Sequence, residues 1–288
     1  MFGQERYMEN NKLLNRAFSE KGTLIAVHRG IWGGNIIENT KISGSLSLEM
    51  GADMFECDVS ISTDGIVYAF HDGGEKRMFG INKNIQTLSA KEIDALVYLN
   101  SIGQPSNYKV ERFDEIVSCF SHGELYNVDR AWGKLPETAA VLKKHPLAIR
   151  QALIKTPVDD AYLSFFNECP EKYMYMPIVY SMKEVEKALS YPNINLVGFE
   201  LIAKTPKEEL FQDENIHYIK SKNLFTWANA IALSGQEKHF LFGGLDDDKA
   251  LLEGADNIWG AMMDKGINVI QTDWPLQLQK YRDQRIKK

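Results

Sequence analysis

Met54-Phe55-Glu56-Cys57-Asp58-Val59, followed by the turn Ser62-Thr63-Asp64-Gly65 and then by His71-Asp72, carries both the structural period and the chemistry of this chain. The six-residue run is apolar apart from two carboxylates spaced two apart. On a strand, residues two apart project to the same side, so Glu56 and Asp58 aim together out of an apolar strand. Carboxylates held that way repel each other and lose hydration, and a hard divalent cation is the natural compensation. His28-Arg29-Gly30 precedes the run. The two histidines can supply an acid and a base, and a guanidinium recognises phosphate oxygens as a fork.

Outward from this run, apolar strand candidates recur at 24–28, 53–59, 124–129, 147–154, 173–179, 194–200, 223–228 and 268–272. Between most of them lie segments with helical spacing, such as Asn39 to Met50, Phe113 to Phe120, Pro136 to Lys144 and Met182 to Leu189. A last helix, Leu276 to Arg285, follows the final strand. Pro136 and Pro206 stand where a helix can begin, a position that tolerates proline. Eight strands, each followed by a crossover, predict an α/β fold, a (β/α)8 TIM-type barrel, whose typical size is ~250 residues. Residues 60–112 exceed one crossover and predict a hairpin, with Val67 to Phe70 as its second strand, and a small insertion after the second strand. An open doubly wound sheet is the alternative, but no Gly-x-Gly-x-x-Gly follows any strand. The whole of 1–288 reads as one domain.

Composition narrows the function. Hydrophobic content of 44% and charged content of 25% are ordinary for a globular protein. A net charge of −6 gives no support to nucleic-acid binding, which shows as a basic excess. No apolar run approaches the roughly 20 residues that span a bilayer, and Met1 to Glu20 lacks the basic start and apolar core of a signal peptide. The expectation is a cytoplasmic protein without stable membrane association, acting on a small molecule. Cys57, Cys119 and Cys169 are odd in number and widely spaced, so neither a disulfide framework nor a zinc site is expected.

Taken in order, Ile25-Ala26-Val27-His28-Arg29-Gly30, Glu38-Asn39-Thr40, Gly51-Ala52-Asp53, Glu56-Cys57-Asp58, Ser62-Thr63-Asp64-Gly65 and His71-Asp72 resemble the glycerophosphodiester phosphodiesterase family. Ser62 stands where that family usually has threonine. Arg77 and Leu88-Ser89-Ala90-Lys91-Glu92-Ile93 follow its usual continuation, and Thr272-Asp273-Trp274-Pro275 is similar to its closing strand. The resemblance is dense over residues 24–97 and returns near the end. It implies metal-dependent hydrolysis of glycerophosphodiesters to glycerol phosphate and an alcohol, with His28 and His71 as the acid–base pair. It implies Glu56 and Asp58 as metal ligands, for Mg²⁺ or Ca²⁺, and Arg29 on the phosphate. Asp53 and Asp64 read as structural. Glu38-Asn39-Thr40 reads as the cap of the first helix, with Glu38 also within reach of the site.

The third ligand of the family, in a Glu-x-Lys arrangement, is altered here. The strand reads Glu124-Leu125-Tyr126-Asn127-Val128-Asp129-Arg130-Ala131. Asp129 is the substitute ligand, Asn127 shares its side, and Arg130 points the other way unless the strand has ended. Lys155 either replaces the missing lysine or is a solvated strand end. Trp227 either belongs to the core or floors a substrate pocket, with Asn229 nearby. Glu200 either binds the alcohol part of a substrate or pairs with Lys204. Asp246-Asp247-Asp248 lacks the glycine and distal glutamate of a calcium loop and reads as a helix N-terminus. Two competing functions remain: cleavage of lipid headgroups in the manner of a phospholipase D or sphingomyelinase D, and a catalytically inactive barrel that binds a phosphorylated ligand.

Overall fold

β1 (Leu24–Val27), β2 (Met54–Ile61), β3 (Val67–Ala69), β4 (Leu125–Asp129), β5 (Ala152–Ile154), β6 (Met174–Tyr175), β7 (Ile178–Val179), β8 (Gly198–Leu201), β9 (Phe225–Asn229) and β10 (Val269–Thr272) form one sheet in the computed structural model. The structure describes residues 1–231, 233 and 240–286. Neighbours run β6-β5-β4-β2-β1-β10-β9-β8-β7, and every pairing is parallel except that of β3, which folds back on β2. The two ends of that order, β6 and β7, are consecutive in the chain and separated only by Met176-Pro177. The segment bonds on both sides: Met176 N–H donates to Ile154 O, and Glu200 N–H donates to Pro177 O. Counted as one strand, β6 and β7 close the ring as the eighth stave of a (β/α)8 barrel. The predicted continuous strand over 173–179 is interrupted because Pro177 has no N–H to give the ladder.

Two other boundaries differ from expectation. A helical turn, α7 (Ala148–Gln151), follows Pro146 with Leu147 as its N-cap, so the strand predicted over 147–154 keeps only its last three residues. Over 194–200, only Gly198–Leu201 enters the ladder, with Leu196 making an isolated bridge to Tyr175. Pro136 stands in the first turn of α6 (Leu135–Lys143). Pro206 lies in a turn before a 3-10 turn at Glu209–Phe211, and begins no helix.

The outer ring holds α2 (Lys41–Glu49), α5 (Phe113–Cys119), α6, α8 (Asp160–Glu168), α9 (Met182–Leu189), α10 (Asp213–Ser221), α11 (Asp247–Glu253), α12 (Trp259–Asp264) and α13 (Pro275–Ile286). Thr40 starts α2 by accepting the Ser43 N–H, while Ser43 Oγ accepts from Thr40 N–H. A further helix, α1 (Lys12–Lys21), lies across the bottom of the barrel. Its Leu14 and Phe18 pack on Leu24, Met54, Leu125, Met174, Phe225 and Val269, residues at or near the starts of the strands. Each such side chain removed from water contributes about 1.5–3 kcal/mol. At the same end Arg282 of α13 is buried against Asp53, which also accepts the Ile25 N–H at 2.7 Å. Asp53 therefore ties the last helix to the first two strands.

Residues 62–112 form the insertion. It contains the β2–β3 hairpin, α3 (Glu75–Phe79) and α4 (Ala90–Ala95), around Tyr68, Phe70, Phe79, Ile85, Ile93 and Tyr98. Asp64 accepts the Ala90 N–H at 2.7 Å and so pins the hairpin turn to α4. The insertion leaves from the C-terminal ends of the strands, the end at which barrels of this kind carry their sites.

Candidate active site

Register decides which side chains meet. Parallel pairing sets Asp58 beside Asp129 and Glu56 beside Asn127, and Val128 beside Ile154. Lys155 thus follows immediately beside Asp129. Oxygens of Glu56, Asp58 and Asp129 lie within 4.8 Å of one another. Glu56 Oε2 accepts the Arg29 N–H at 2.8 Å, whereas its Oε1 is buried without a hydrogen-bond partner. Burial, and then the charges of Asp58 and Asp129, push the Glu56 pKa well above the carboxylate range. An orphaned oxygen in a set of mutually repelling carboxylates fits a hard cation with oxygen ligands.

Around this cluster the first loop folds tightly. Arg29 takes a left-handed conformation, φ 57°, which returns its side chain over β2. Its Nε lies 3.2 Å from Asp58 Oδ2 and its Nη1 donates to Glu38 Oε1 at 3.0 Å. Gly30, φ 69°, also has no room for a side chain: a Cβ there would stand 2.6 Å from the Ser43 backbone. Asn39, φ 56°, grips Asp58 twice, accepting its N–H at 2.9 Å and donating to its Oδ2 at 3.0 Å. Glu38 is buried, and burial pushes its pKa up, but Arg77 at 2.7 Å and Arg29 outweigh that and hold it below the usual range.

The two histidines flank the cluster. His28 follows β1, and its Nδ1 lies 3.2 Å from Asp273 Oδ1. His71 follows β3; burial depresses its pKa, and the positive charges of Arg29 and Arg130 act in the same direction against Asp58 and Asp72. β4 ends at Asp129, and Arg130 turns back in a left-handed conformation, φ 56°, to donate to Asp72 Oδ1 at 2.8 Å. Arg130 therefore joins the site, because the strand has ended before it.

Lys155 is no solvated strand end. Its ammonium is buried between Asp129 Oδ2 at 2.8 Å and Glu200 Oε2 at 3.0 Å. Burial alone would favour losing the proton, but Asp129, Glu200 and Glu56 outweigh it and push the pKa up. Glu200 also accepts from Asn229 Nδ2 at 2.7 Å, so its partners are Lys155 and Asn229 and not Lys204. Trp227 is fully buried, gives its indole N–H to Asn229 at 2.9 Å, and lies 5.6 Å beneath the Lys155 ammonium. What it floors is an internal ion pair. Asp246 caps α11 by accepting the Lys249 N–H, as expected of a helix start.

Three contacts escaped sequence reasoning. Asp273 against His28 follows from ring closure, which sets β1 beside β10 with Val27 opposite Thr272. Asn39 against Asp58 and Arg130 against Asp72 depend on left-handed backbone at non-glycine residues, which no periodicity signals.

Comparison with known proteins agrees with this architecture. A model of the glycerophosphoryl diester phosphodiesterase family matches residues 28–189, and a model of a domain of unknown function matches residues 175–282. Mouse lysophospholipase D GDPD3 is 36% identical over 69 residues, which is 24% of this chain and 21% of that protein. The chain thus aligns with about a fifth of this curated relative. A glycerophosphoryl diester phosphodiesterase structure from Parabacteroides distasonis superposes with a TM-score of 0.71 at 17% identity, covering 91% of this chain and 87% of that one. A phosphodiesterase from Oleispira antarctica, solved with the product sn-glycerol-3-phosphate, superposes with a TM-score of 0.65 at 18% identity, over 93% and 99% of the two chains. These structures share the fold. The family match takes in more than half of the sequence, from His28 through the carboxylate strand to beyond Lys155, and the chain belongs to the glycerophosphoryl diester phosphodiesterase family.

Proposed function

We propose that the protein hydrolyses glycerophosphodiesters, releasing glycerol phosphate and an alcohol, with a divalent cation on Glu56, Asp58 and Asp129. The observation that carries this reading is the convergence of those three carboxylates at the ends of neighbouring strands, with a buried Glu56 oxygen left unpartnered. A bound Mg²⁺ or Ca²⁺ supplies electrophilic polarisation of a phosphoryl oxygen. Arg29 binds another phosphoryl oxygen through the part of its fork not engaged by Asp58 and Glu38. A bond forms between the nucleophile's oxygen and phosphorus as the P–O bond to the alcohol breaks. One histidine of His28 and His71 takes the nucleophile's proton and the other protonates the departing alcohol. The nucleophile is water, or the glycerol hydroxyl by way of a cyclic phosphate.

Lys155 serves in this scheme as a positioning residue. Its buried ammonium fixes Asp129 and Glu200 and does not itself touch substrate, with Trp227 beneath it. The inactive-barrel alternative is disfavoured because His28, His71, Glu56 and Asp58 are all retained. A lysophospholipase D reading rests on the short likeness to the mouse protein; among the described residues no helix is long and apolar enough to cross a membrane. The test is turnover of glycerophosphodiesters and of bis-p-nitrophenyl phosphate before and after chelation. Activity is expected to vanish with the chelator and return with Mg²⁺ or Ca²⁺. Undiminished turnover in metal-free protein removes the cation from the scheme.

A further inference from the structure

Asp247, the first residue of α11, is a buried carboxylate outside the metal-ligand cluster, and the hydrolysis scheme gives it no part. Both of its side-chain oxygens are committed. Oδ1 accepts the Trp259 indole N–H at 2.8 Å. Oδ2 accepts the Thr272 hydroxyl at 2.8 Å and the Asp273 N–H at 2.9 Å. Its own N–H donates to Ala230 O at 2.7 Å, just past the end of β9. Burying a carboxylate is costly, and this one grips the two residues at which β10 ends. The second of them, Asp273, faces His28. We propose that Asp247 and Asp273 are positioning residues for His28: Asp247 anchors the backbone at the end of β10, and the Asp273 carboxylate aimed from there holds the imidazole by its Nδ1 proton.

The His28–Asp273 contact is weak by itself. Its atoms are 3.2 Å apart, and its side chains are 16% and 36% exposed. Contacts of that kind, open to water, contribute little. Such a pair keeps one geometry only if the backbone behind it is fixed. Asp247 fixes it at Thr272 and Asp273, and Thr272 Oγ in turn accepts the Trp274 N–H at 2.9 Å. From the other side the His28 N–H donates to Thr272 O at 3.3 Å, with Val27 opposite Thr272 in the ladder. The consequence for His28 is chemical. An ionised carboxylate can only accept, so Nδ1 must carry a proton to meet it. Nε2 is then the nitrogen at which a proton arrives from the nucleophile or leaves for the departing alcohol. The carboxylate next to His71, Asp72, is engaged instead by Arg130 at 2.8 Å, so the two histidines are held differently.

The role of His28 rests on the hydrolase reading, whereas the setting of its ring is read without substrate. Nitrogen NMR of isotope-labelled histidine would follow the ring, with His28 assigned by the signals missing from His28→Ala. The measurement is made at pH 8, above the value of about 7 to which burial pushes Asp247. In wild type the proton is expected on Nδ1, and Asp273→Ala should lose that preference. With saturating metal and glycerophosphocholine, Asp273→Ala should lower kcat on the order of tenfold, less than the ~10²-fold of removing His28 itself, with KM unchanged. Asp247→Asn should move the ring signals the same way with a smaller loss of kcat. If that variant fails to fold, Thr272→Val, which removes one hydrogen bond to Asp247, takes its place. A bare Nδ1 in wild type, or wild-type ring signals or kcat in Asp273→Ala, overturns the proposal. Wild-type ring signals and kcat in the Asp247 or Thr272 variant overturn the anchor. If no diester is turned over with any cation, the hydrolase reading fails, and the ring signals alone decide whether the two carboxylates set His28.

Discussion

Replacing Lys155 by methionine tests the central ion pair of the barrel. The ammonium sits 2.8 Å from Asp129 and 3.0 Å from Glu200, with side-chain exposures of 3% for Lys155, 18% for Asp129 and 5% for Glu200. Methionine keeps most of the volume and all of the apolar stem, so a cavity contributes little. What is lost is the one cation that, among the described residues, stands between Asp129 and Glu200, which then face each other and Glu56 in a poorly solvated space. Removing one partner of a buried pair costs about 3–5 kcal/mol. Glu200 keeps Asn229, and Asp129 keeps the Arg130 N–H at 2.6 Å, so the lower half of that range applies, ~3–4 kcal/mol. The assay is urea unfolding at pH 7 in the presence of chelator. The pH dependence has a definite sign. Burial, Asp58 and Asp129 already hold Glu56 above the carboxylate range with Lys155 acting against them; removing Lys155 raises it further, so the folded variant binds more protons and gains stability as pH falls toward 4. The deficit relative to wild type should therefore shrink on acidification. Mg²⁺ or Ca²⁺ should also stabilise the variant more than wild type, because the cluster has lost a competing cation. A loss below about 1 kcal/mol at pH 7, or one that grows on acidification, would refute the reasoning.

Three further outcomes are expected. Asp129→Asn should raise the metal concentration needed for half-maximal turnover well above that of Asp129→Glu; an unchanged value moves the third ligand elsewhere, Glu200 and Asn127 being nearest in the network. His28→Ala and His71→Ala should each lower kcat by at least ~10²-fold with little change in the unfolding midpoint, and near-normal turnover makes the histidine in question structural. Asp247, buried under Trp259, Thr272 and the Asp273 N–H, is pushed by burial to about 7 from the ordinary 3.8. Each pKa unit is worth about 1.4 kcal/mol, so that rise corresponds to roughly 4 kcal/mol. A raised carboxylate makes wild type lose stability as pH rises from 4 to 7, and Asp247→Asn should flatten that slope, read from unfolding free energies across the window; parallel slopes count against the titration.

Much of the carboxylate strand was decided by the sequence alone. A two-residue period in an apolar run forces Glu56 and Asp58 to one side whatever surrounds them. Strand–helix alternation over eight segments leaves few ways to bury both faces of a parallel sheet, and closure into a barrel is the one found. The turn at Asp64, the cap at Thr40 and the helix start at Asp246 are local, so short-range hydrogen bonding reveals them. Tertiary structure decided the partners. Lys155 could be solvent-exposed or central until pairing set it beside Asp129, and only the ladder through the β6–β7 stave brought Glu200, two staves along on β8, to share its ammonium. Trp227 became the floor of that pair because closure buried it. Arg130 faces Asp72 through a left-handed backbone that propensity would not choose and that surrounding contacts hold in place. Which carboxylate meets which cation depends on residues distant in sequence, whose separation is fixed by strand register and barrel closure and not by spacing along the chain.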